Sequence, residues 1–278
     1  MMRGRPGISL LFGFALCLSP LLGAQVGAQA ATCRDPRGFD AWLQDIKKEA
    51  AAQGIPQSAI DASLESVEYD PDVISHDHGQ RVFHQSFAQF SGRMVNAYRL
   101  RRGAALLKRY ADTFDQIEKQ YGVPGPVIVA IWGLETDFGA VIGNFPTIRS
   151  LATLAFDCRR SDMFTMQLFY AIRLVARGDL SPDAMHGAWA GELGQTQFMP
   201  DAYYKYGVDF NGDGSIDLLH DVPDVLASTA KYLQSYGWKA GAGWQPGEPN
   251  FAVIQQWNKA DVYSRTVALL AQKLADGE

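Results

Sequence analysis

Apolar positions recur at helical spacing along most of the chain. Phe39, Trp42, Leu43 and Ile46 fall on one stripe, which Gly54 ends. A second helix is expected from about Ala104, with Leu106, Tyr110, Thr113, Ile117 and Tyr121 on one face, until Gly122 and Pro124 stop it. Pro126 opens a helix that runs to Glu135. Two more are expected over 147–156 and 161–177, the second carrying Leu168, Ile172 and Val175 and stopping at Gly178. Ser181-Pro182-Asp183 has the form of an N-cap followed by proline at the first helical position. Pro223 begins a helix with Leu226, Thr229, Ala230 and Leu233 on one side that ends at Gly237, and a final helix aligns Tyr263, Val267, Leu270 and Leu274. Alternation with period two is scarce, so the fold is expected to be mainly α with at most a small sheet. A polar stretch spans Asp70 to Gln89, and the basic run from Arg93 to Arg109 reads as a solvated helix face.

The first thirty residues change the picture. Arg3 and Arg5, an apolar stretch from Ile8 to Leu22 and the small-residue sequence Ala28-Gln-Ala30 read as a secretory signal peptide cut after Ala30. Gly13, Ser19 and Pro20 interrupt the stretch, which is short for a spanning helix. Ala30-Ala-Thr before Cys33 is a poor lipobox, so an exported, periplasmic protein without a lipid anchor is expected. Loss of the leader leaves 23 basic against 30 acidic side chains, a formal charge of −7, which argues against a nucleic-acid partner. It also removes Cys17. In an oxidising compartment Cys33 and Cys158 then have only each other to pair with, and one disulfide is expected.

Glu135 follows Ile128, Ile131 and Trp132 by seven, four and three residues, so it projects from an apolar stripe near a helix C-terminus. Desolvation and the negative end of the helix dipole both disfavour the charged carboxylate there, raising its pKa and keeping a proton available near neutral pH. A lysozyme acid held against tryptophan uses the same device. The plain alternative is a glutamate that caps the helix or pairs with Arg149.

Three long segments stand in order around this acid: Trp132-Gly-Leu-Glu-Thr-Asp-Phe-Gly139, Ala190-Gly-Glu-Leu-Gly-Gln-Thr-Gln-Phe-Met-Pro200 and Asp209-Phe-Asn-Gly-Asp-Gly214. With Tyr232-Leu-Gln-Ser-Tyr-Gly-Trp238 they resemble the membrane-type B lytic murein transglycosylases, glycoside hydrolase family 103, from about Tyr121 to Trp238. The resemblance implies a lysozyme-like core that acts on peptidoglycan glycan strands. It implies that Glu135 protonates the β-1,4 oxygen between N-acetylmuramic acid and N-acetylglucosamine, then takes a proton from the muramoyl C6 hydroxyl as that group attacks C1. A 1,6-anhydromuramoyl end results, and no second carboxylate is required because the nucleophile is intramolecular. No cofactor for the chemistry and no protein partner is implied, and a monomer is expected. The organisation expected on this basis is a leader over 1–30, an N-terminal helical region over 31–121, a catalytic core over 122–239 and a C-terminal segment over 240–278 whose helix packs back on the body.

The same resemblance assigns further residues. Gln197 matches a substrate-binding glutamine; the plain alternative is a turn-stabilising hydrogen bond. Tyr232, Asn258 and Tyr263 resemble cleft residues, Trp257 stands where tyrosine is common, and Phe198 and Met199 read as packing. Arg159 and Arg160 resemble a pair that borders the cleft and meets lactyl or stem-peptide carboxylates, though a surface pair at a helix start reads equally well. Ala188 stands where the resemblance implies a serine contact, so one sugar hydrogen bond is either missing or supplied by Gln195 or Thr196.

Asp209, Asn211 and Asp213 followed by Gly214 reproduce the opening of an EF-hand loop, with the Ser215 carbonyl as a further ligand. His220 stands where a bidentate glutamate belongs; the resemblance implies a distal acid slightly later, so Asp224, or failing that Asp221, would close the site, with Asp217 acting through water. A structural calcium ion is expected. Two other functions compete with the main reading. A hydrolytic muramidase would use Glu192 or Asp137 to activate water, and a noncatalytic peptidoglycan-binding protein would only keep the cleft.

Overall fold

The computed structural model describes residues 32–79 and 85–277, so the expected leader lies outside the described residues. Thirteen α-helices are found among them: α1 (Phe39–Ala52), α2 (Gln57–Leu64), α3 (Pro71–His78), α4 (Phe87–Met94), α5 (Ala97–Arg109), α6 (Ala111–Tyr121), α7 (Gly125–Thr136), α8 (Thr147–Phe156), α9 (Ser161–Arg177), α10 (Pro200–Tyr206), α11 (Val222–Ser235), α12 (Phe251–Trp257) and α13 (Asp261–Asp276). Two short antiparallel strands, β1 (Phe145–Pro146) and β2 (His186–Gly187), pair Phe145 with Gly187 and Pro146 with His186. The fold is mainly α, as the scarcity of period-two alternation implies. No helix of the described residues is long and apolar enough to cross a membrane.

α7 is the central element. Every residue from Val127 to Leu134 is buried, so it is apolar all round, where the sequence suggested a single stripe. α5, α6, α11 and α13 pack around it. Gly103 lets α5 come close: a Cβ there would lie 2.9 Å from Leu274 of α13 and 3.1 Å from Val129 of α7. These helices and α12 form one hydrophobic cluster. The other gathers α1, α2, α8, α9 and the Leu193, Phe198 and Tyr203 side chains. Tyr232 and Trp257, both partly buried, pack against both clusters.

Three expectations are corrected. The helix read from Ala104 to Tyr121 is two, α5 and α6, broken at Tyr110, whose backbone (φ −109°, ψ 28°) leaves the helix. The break has a packing reason, because α5 lies along α7 and α13 whereas α6 also reaches α11. Ser181 takes the N-cap position and Pro182 the first helical one as expected, but the element is only a three-residue 3-10 turn and the Ser181 side chain makes no cap hydrogen bond. In the basic run, Arg99 is turned inward with its side chain only 12% exposed.

Cys33 and Cys158 form the expected disulfide, with Cα atoms 5.1 Å apart. It fastens the described N-terminus to the turn between α8 and α9, where Arg34 also donates its backbone N–H to Phe156 O at 2.8 Å and pairs with Asp157. The bridge spans 125 positions and therefore removes much freedom from the unfolded chain. Replacing both cysteines with serine is expected to lower unfolding stability by about 2–4 kcal/mol, measured by urea denaturation under oxidising conditions, whereas reductant leaves the double variant unaffected.

Candidate functional site

The site forms where α7 ends. Asp137 (φ 51°), Phe138 (φ 62°) and Gly139 (φ 80°) are successively left-handed, which turns the chain sharply back. The Phe138 ring then meets the Trp132 ring edge-on at 5.6 Å, in space that a Cβ on Gly133 would close. Arg99 caps the helix end: its Nε donates to Gly133 O at 3.0 Å and lies 2.8 Å from Asp137 Oδ1. A cation at that terminus offsets the negative end of the helix dipole. Thr136 Oγ1 accepts the Gly139 N–H at 2.8 Å and donates to Gln195 O, tying the turn to the glutamine-containing loop.

Glu135 emerges from this end at the base of a cavity of about 390 Å³. Its Oε1 accepts two hydrogen bonds, from Trp257 Nε1 at 2.9 Å and from the Tyr263 hydroxyl. These donors stand in place of the arginine partner considered for it. Burial pushes the Glu135 pKa up to about 7, the Tyr263 and Trp257 hydrogen bonds restrain the rise, and the nearby Glu192 carboxyl adds to it. Burial also raises the pKa of Glu192, which lines the same cavity.

One wall is aromatic. The Tyr232 ring lies 4.6 Å from Tyr236, 4.9 Å from Trp257 and 5.2 Å from Tyr206. Phe198 meets Trp257 at right angles, 5.2 Å away. Tyr206 and Tyr236 were not foreseen, although the tyrosines crowding Tyr203-Tyr-Lys-Tyr206 and Tyr232-Leu-Gln-Ser-Tyr236 were a signal. Trp257, at a position where the family resemblance implies tyrosine, belongs to the same wall. Gln197 and Asn258 line the cavity. Gln197 is held at φ 56°, with its amide nitrogen donating to Ile142 O at 3.2 Å and Gly194 O at 2.9 Å, so its remaining hydrogen-bonding capacity lies in the amide oxygen.

Other candidates are placed differently. Gln195 is buried behind the cavity, accepting from Trp132 Nε1 at 3.1 Å and donating to Leu219 O at 3.0 Å, so its amide holds the loop against α7 and does not face a ligand. Arg159 and Arg160 both bind the buried Asp77 of α3. Asp137 is occupied by Arg99 and does not line the cavity.

The Asp209–Gly214 loop turns around Asp209, whose carboxylate accepts the N–H groups of Gly212, Asp213 and Gly214 at 2.7, 3.1 and 2.8 Å. Asp224, the expected closing ligand, is buried, and its two oxygens accept from Phe210 N at 2.7 Å and Asp217 N at 3.0 Å. Asp221 is the acid beside the loop, 2.7 Å from Asn211 Nδ2. Burial raises the Asp224 pKa, and the charges of Asp221 and Asp209 raise it further. That accumulation of negative charge is what a bound cation relieves.

Because the native Glu135 binds its proton more tightly than the unfolded value of 4.5 allows, the folded state carries more protons between pH 4.5 and 7, and stability falls as pH rises through that window. Glu135→Gln removes this penalty. The variant is expected to melt above wild type at pH 8 and to lose that advantage below pH 4.5, as scanning calorimetry across pH can measure.

Comparison with known proteins places this geometry. The family model described as a transglycosylase SLT domain matches residues 38–248. Membrane-bound lytic murein transglycosylase B of Escherichia coli (strain K12) is 33% identical over 173 residues, 59% of this chain and 48% of the relative, so the chain spans about half the length of the curated relative it matches. SltB3 from Pseudomonas aeruginosa, solved in complex with NAG-NAM-pentapeptide and with NAG-anhNAM-pentapeptide, superposes with TM-scores of 0.82 and 0.81 at 29% and 30% identity, covering 87% of this chain and 81% of that one. The soluble lytic transglycosylase SltB1 of the same organism superposes with a TM-score of 0.77 at 25% identity over 84% of this chain and 98% of that one. The chain belongs to the transglycosylase SLT family.

Proposed function

We propose that the protein is a lytic transglycosylase that cuts the β-1,4 bond between N-acetylmuramic acid and N-acetylglucosamine in peptidoglycan and leaves 1,6-anhydromuramoyl ends. The observation that carries this is a single carboxyl group, Glu135, with a pKa of about 7 and both hydrogen-bond donors on one oxygen, at the base of an aromatic-walled cavity. The two ligands of the SltB3 relative, a muramoyl peptide and its anhydro counterpart, have the chemistry of a substrate and a product of this reaction.

The steps follow from the site. With Oε1 holding Trp257 and Tyr263, the proton of neutral Glu135 resides on Oε2, from which it passes to the glycosidic oxygen as the C1–O bond breaks. The same two donors stabilise the carboxylate this creates. It then takes the proton of the muramoyl C6 hydroxyl while that oxygen bonds to C1, and Glu135 is regenerated without water. The Tyr232, Tyr236 and Trp257 rings offer faces for sugar stacking, and Gln197 and Asn258 offer amides to hydroxyl and acetamido groups. The division into an N-terminal helical region, a core over 122–239 and a packed-back C-terminal helix belongs to the same reading, as does export to the periplasm.

Calcium is proposed as a structural ion in the loop, held by side-chain oxygens of Asp209, Asn211 and Asp213 and the Ser215 carbonyl, with Asp221 as the closing acid in place of Asp224. The ion would neutralise the loop's charge and supply no chemistry. Calcium at millimolar concentration is expected to raise the melting temperature by several degrees and chelator to reverse it, with Asp213→Ala abolishing the response; an unchanged melt in all three ends the proposal.

Digestion of purified sacculi followed by mass analysis tests the reaction. Released muropeptides are expected one water lighter than the hydrolysis products, and Glu135→Gln is expected to lower turnover by a factor of about 10³ or more. Hydrated reducing ends would instead show that a second carboxyl in the cavity, with Glu192 the candidate, activates water.

A further inference from the structure

A second cavity, of about 530 Å³, opens between α1, α9 and α10. Its size is that of a ligand pocket, and none of its lining residues takes part in the chemistry proposed above. α10 contributes to both cavities, Tyr206 to the catalytic one and Tyr204 to this one. Its seat on α9 is fixed by a reciprocal pair, in which Gln167 Nε2 donates to Asp201 Oδ1 at 2.8 Å and Asp201 N donates to Gln167 Oε1 at 3.0 Å.

The α9 wall of this cavity has a direction. Asp162, Met166, Phe169 and Arg173 follow one another at intervals of four, three and four residues, so they stand in one line on the helix, acid first, apolar in the middle and arginine last. That stretch of helix sets the two charged positions about 16 Å apart along the axis. Between them Phe169 is buried and Met166 is 40% exposed, an apolar floor open to solvent. Glu49 of α1 adds a second carboxylate to the lining. At the other end the Arg173 guanidinium lies 5.2 Å from the centroid of the Tyr170 ring and donates to Gln53 Oε1 at 3.2 Å. Lys205 also lies over Tyr170, and Arg177 lies over Tyr204 at 4.3 Å, so cations already cover the ring faces on which a sugar would stack.

The geometry points to a groove for a stem peptide of peptidoglycan, laid along α9 outside the catalytic cleft, with its terminal carboxylate at Arg173 and the ammonium group of its diamino residue at Asp162 and Glu49. This rests on the peptidoglycan reading above. Charge complementarity selects the occupant: a polyanion would meet two carboxylates, a polycation would meet Arg173, and a peptide carrying both charges at separate places meets neither conflict. Length agrees, because five residues of extended chain span about 17 Å, and the ligand of the SltB3 relative carries a pentapeptide. A peptide held here would belong to the wall around the strand being cut, and would keep the enzyme on its polymer between cuts.

Titration calorimetry on the whole protein, with stem peptides freed from purified sacculi by an amidase, tests this. Saturable binding is expected, and it should weaken as salt is raised, since the charges it uses face solvent. Arg173→Glu is expected to weaken it by about tenfold or more. Asp162→Lys, a change on the exposed rim, is expected to weaken it by about threefold or more and serves where the first variant fails to fold. Absence of binding, or equal affinity of wild type and both variants, would overturn the inference. So would binding of an N-acetylglucosamine oligomer that Arg173→Glu abolishes, which would assign the groove to sugar. Hydrated products from sacculi would sink the transglycosylase reading and leave the peptide titration standing.

Discussion

The carboxyl of Glu135 is held between two opposed demands, and the rest of the structure is arranged around that balance. Its helix is buried on every side, which disfavours the carboxylate, yet Trp257 and Tyr263 both donate to Oε1 and favour it. Burial raises the pKa and the two hydrogen bonds hold that rise back. Together they leave it near 7, where the group can both give and take a proton. Both donors come from C-terminal helices, Trp257 from the end of α12 and Tyr263 from α13, so these helices complete the acid that α7 carries. α13 packs along α7, and that contact sets the reach of the tyrosine hydroxyl.

Two hydrophobic clusters meet at Tyr232 and Trp257, and the cavity opens along their seam. A cleft between two packed bodies can stay open only if its walls are rigid. The mutual ring contacts of Tyr206, Tyr232, Tyr236, Trp257 and Phe198 supply that stiffness without filling the space. The opposite wall is a loop, and it is kept in place by polar contacts: Gln195 bridges Trp132 and Leu219, and Thr136 joins Gly139 to Gln195 O. Gln195 is therefore as necessary to the cavity as Gln197, although only Gln197 lines it.

The division between what the sequence disclosed and what it hid follows the range of the interactions. Spacing located α1, α7, α8, α9, α11 and α13, because each is long enough for its apolar residues to repeat. The short helices α2, α3, α4, α10 and α12 offered too few turns for a period to register. Glu135 was legible as a high-pKa acid from its own helix. Spacing could not supply its partners, since Trp257 and Tyr263 lie 122 and 128 positions away; the resemblance marks both positions, but only folding shows that they donate to Glu135. Gln195 and Gln197, two residues apart, show the same limit at close quarters: their composition is identical, and only the left-handed backbone at Gln197 decides which amide faces the cavity.

Arg99 shows why an apparently solvated charge cannot be judged from its neighbours in sequence. It lies in a run of arginines that are otherwise exposed, yet it is the one that reaches Gly133 O and Asp137, two positions on either side of Glu135. Asp137 sits two residues from Glu135 but does not line the cavity. Pairing it with Arg99 caps α7 and fixes the left-handed turn in one arrangement. The carboxyl two residues from Glu135 thus serves the backbone turn and stays out of the cavity that Glu135 and Glu192 line.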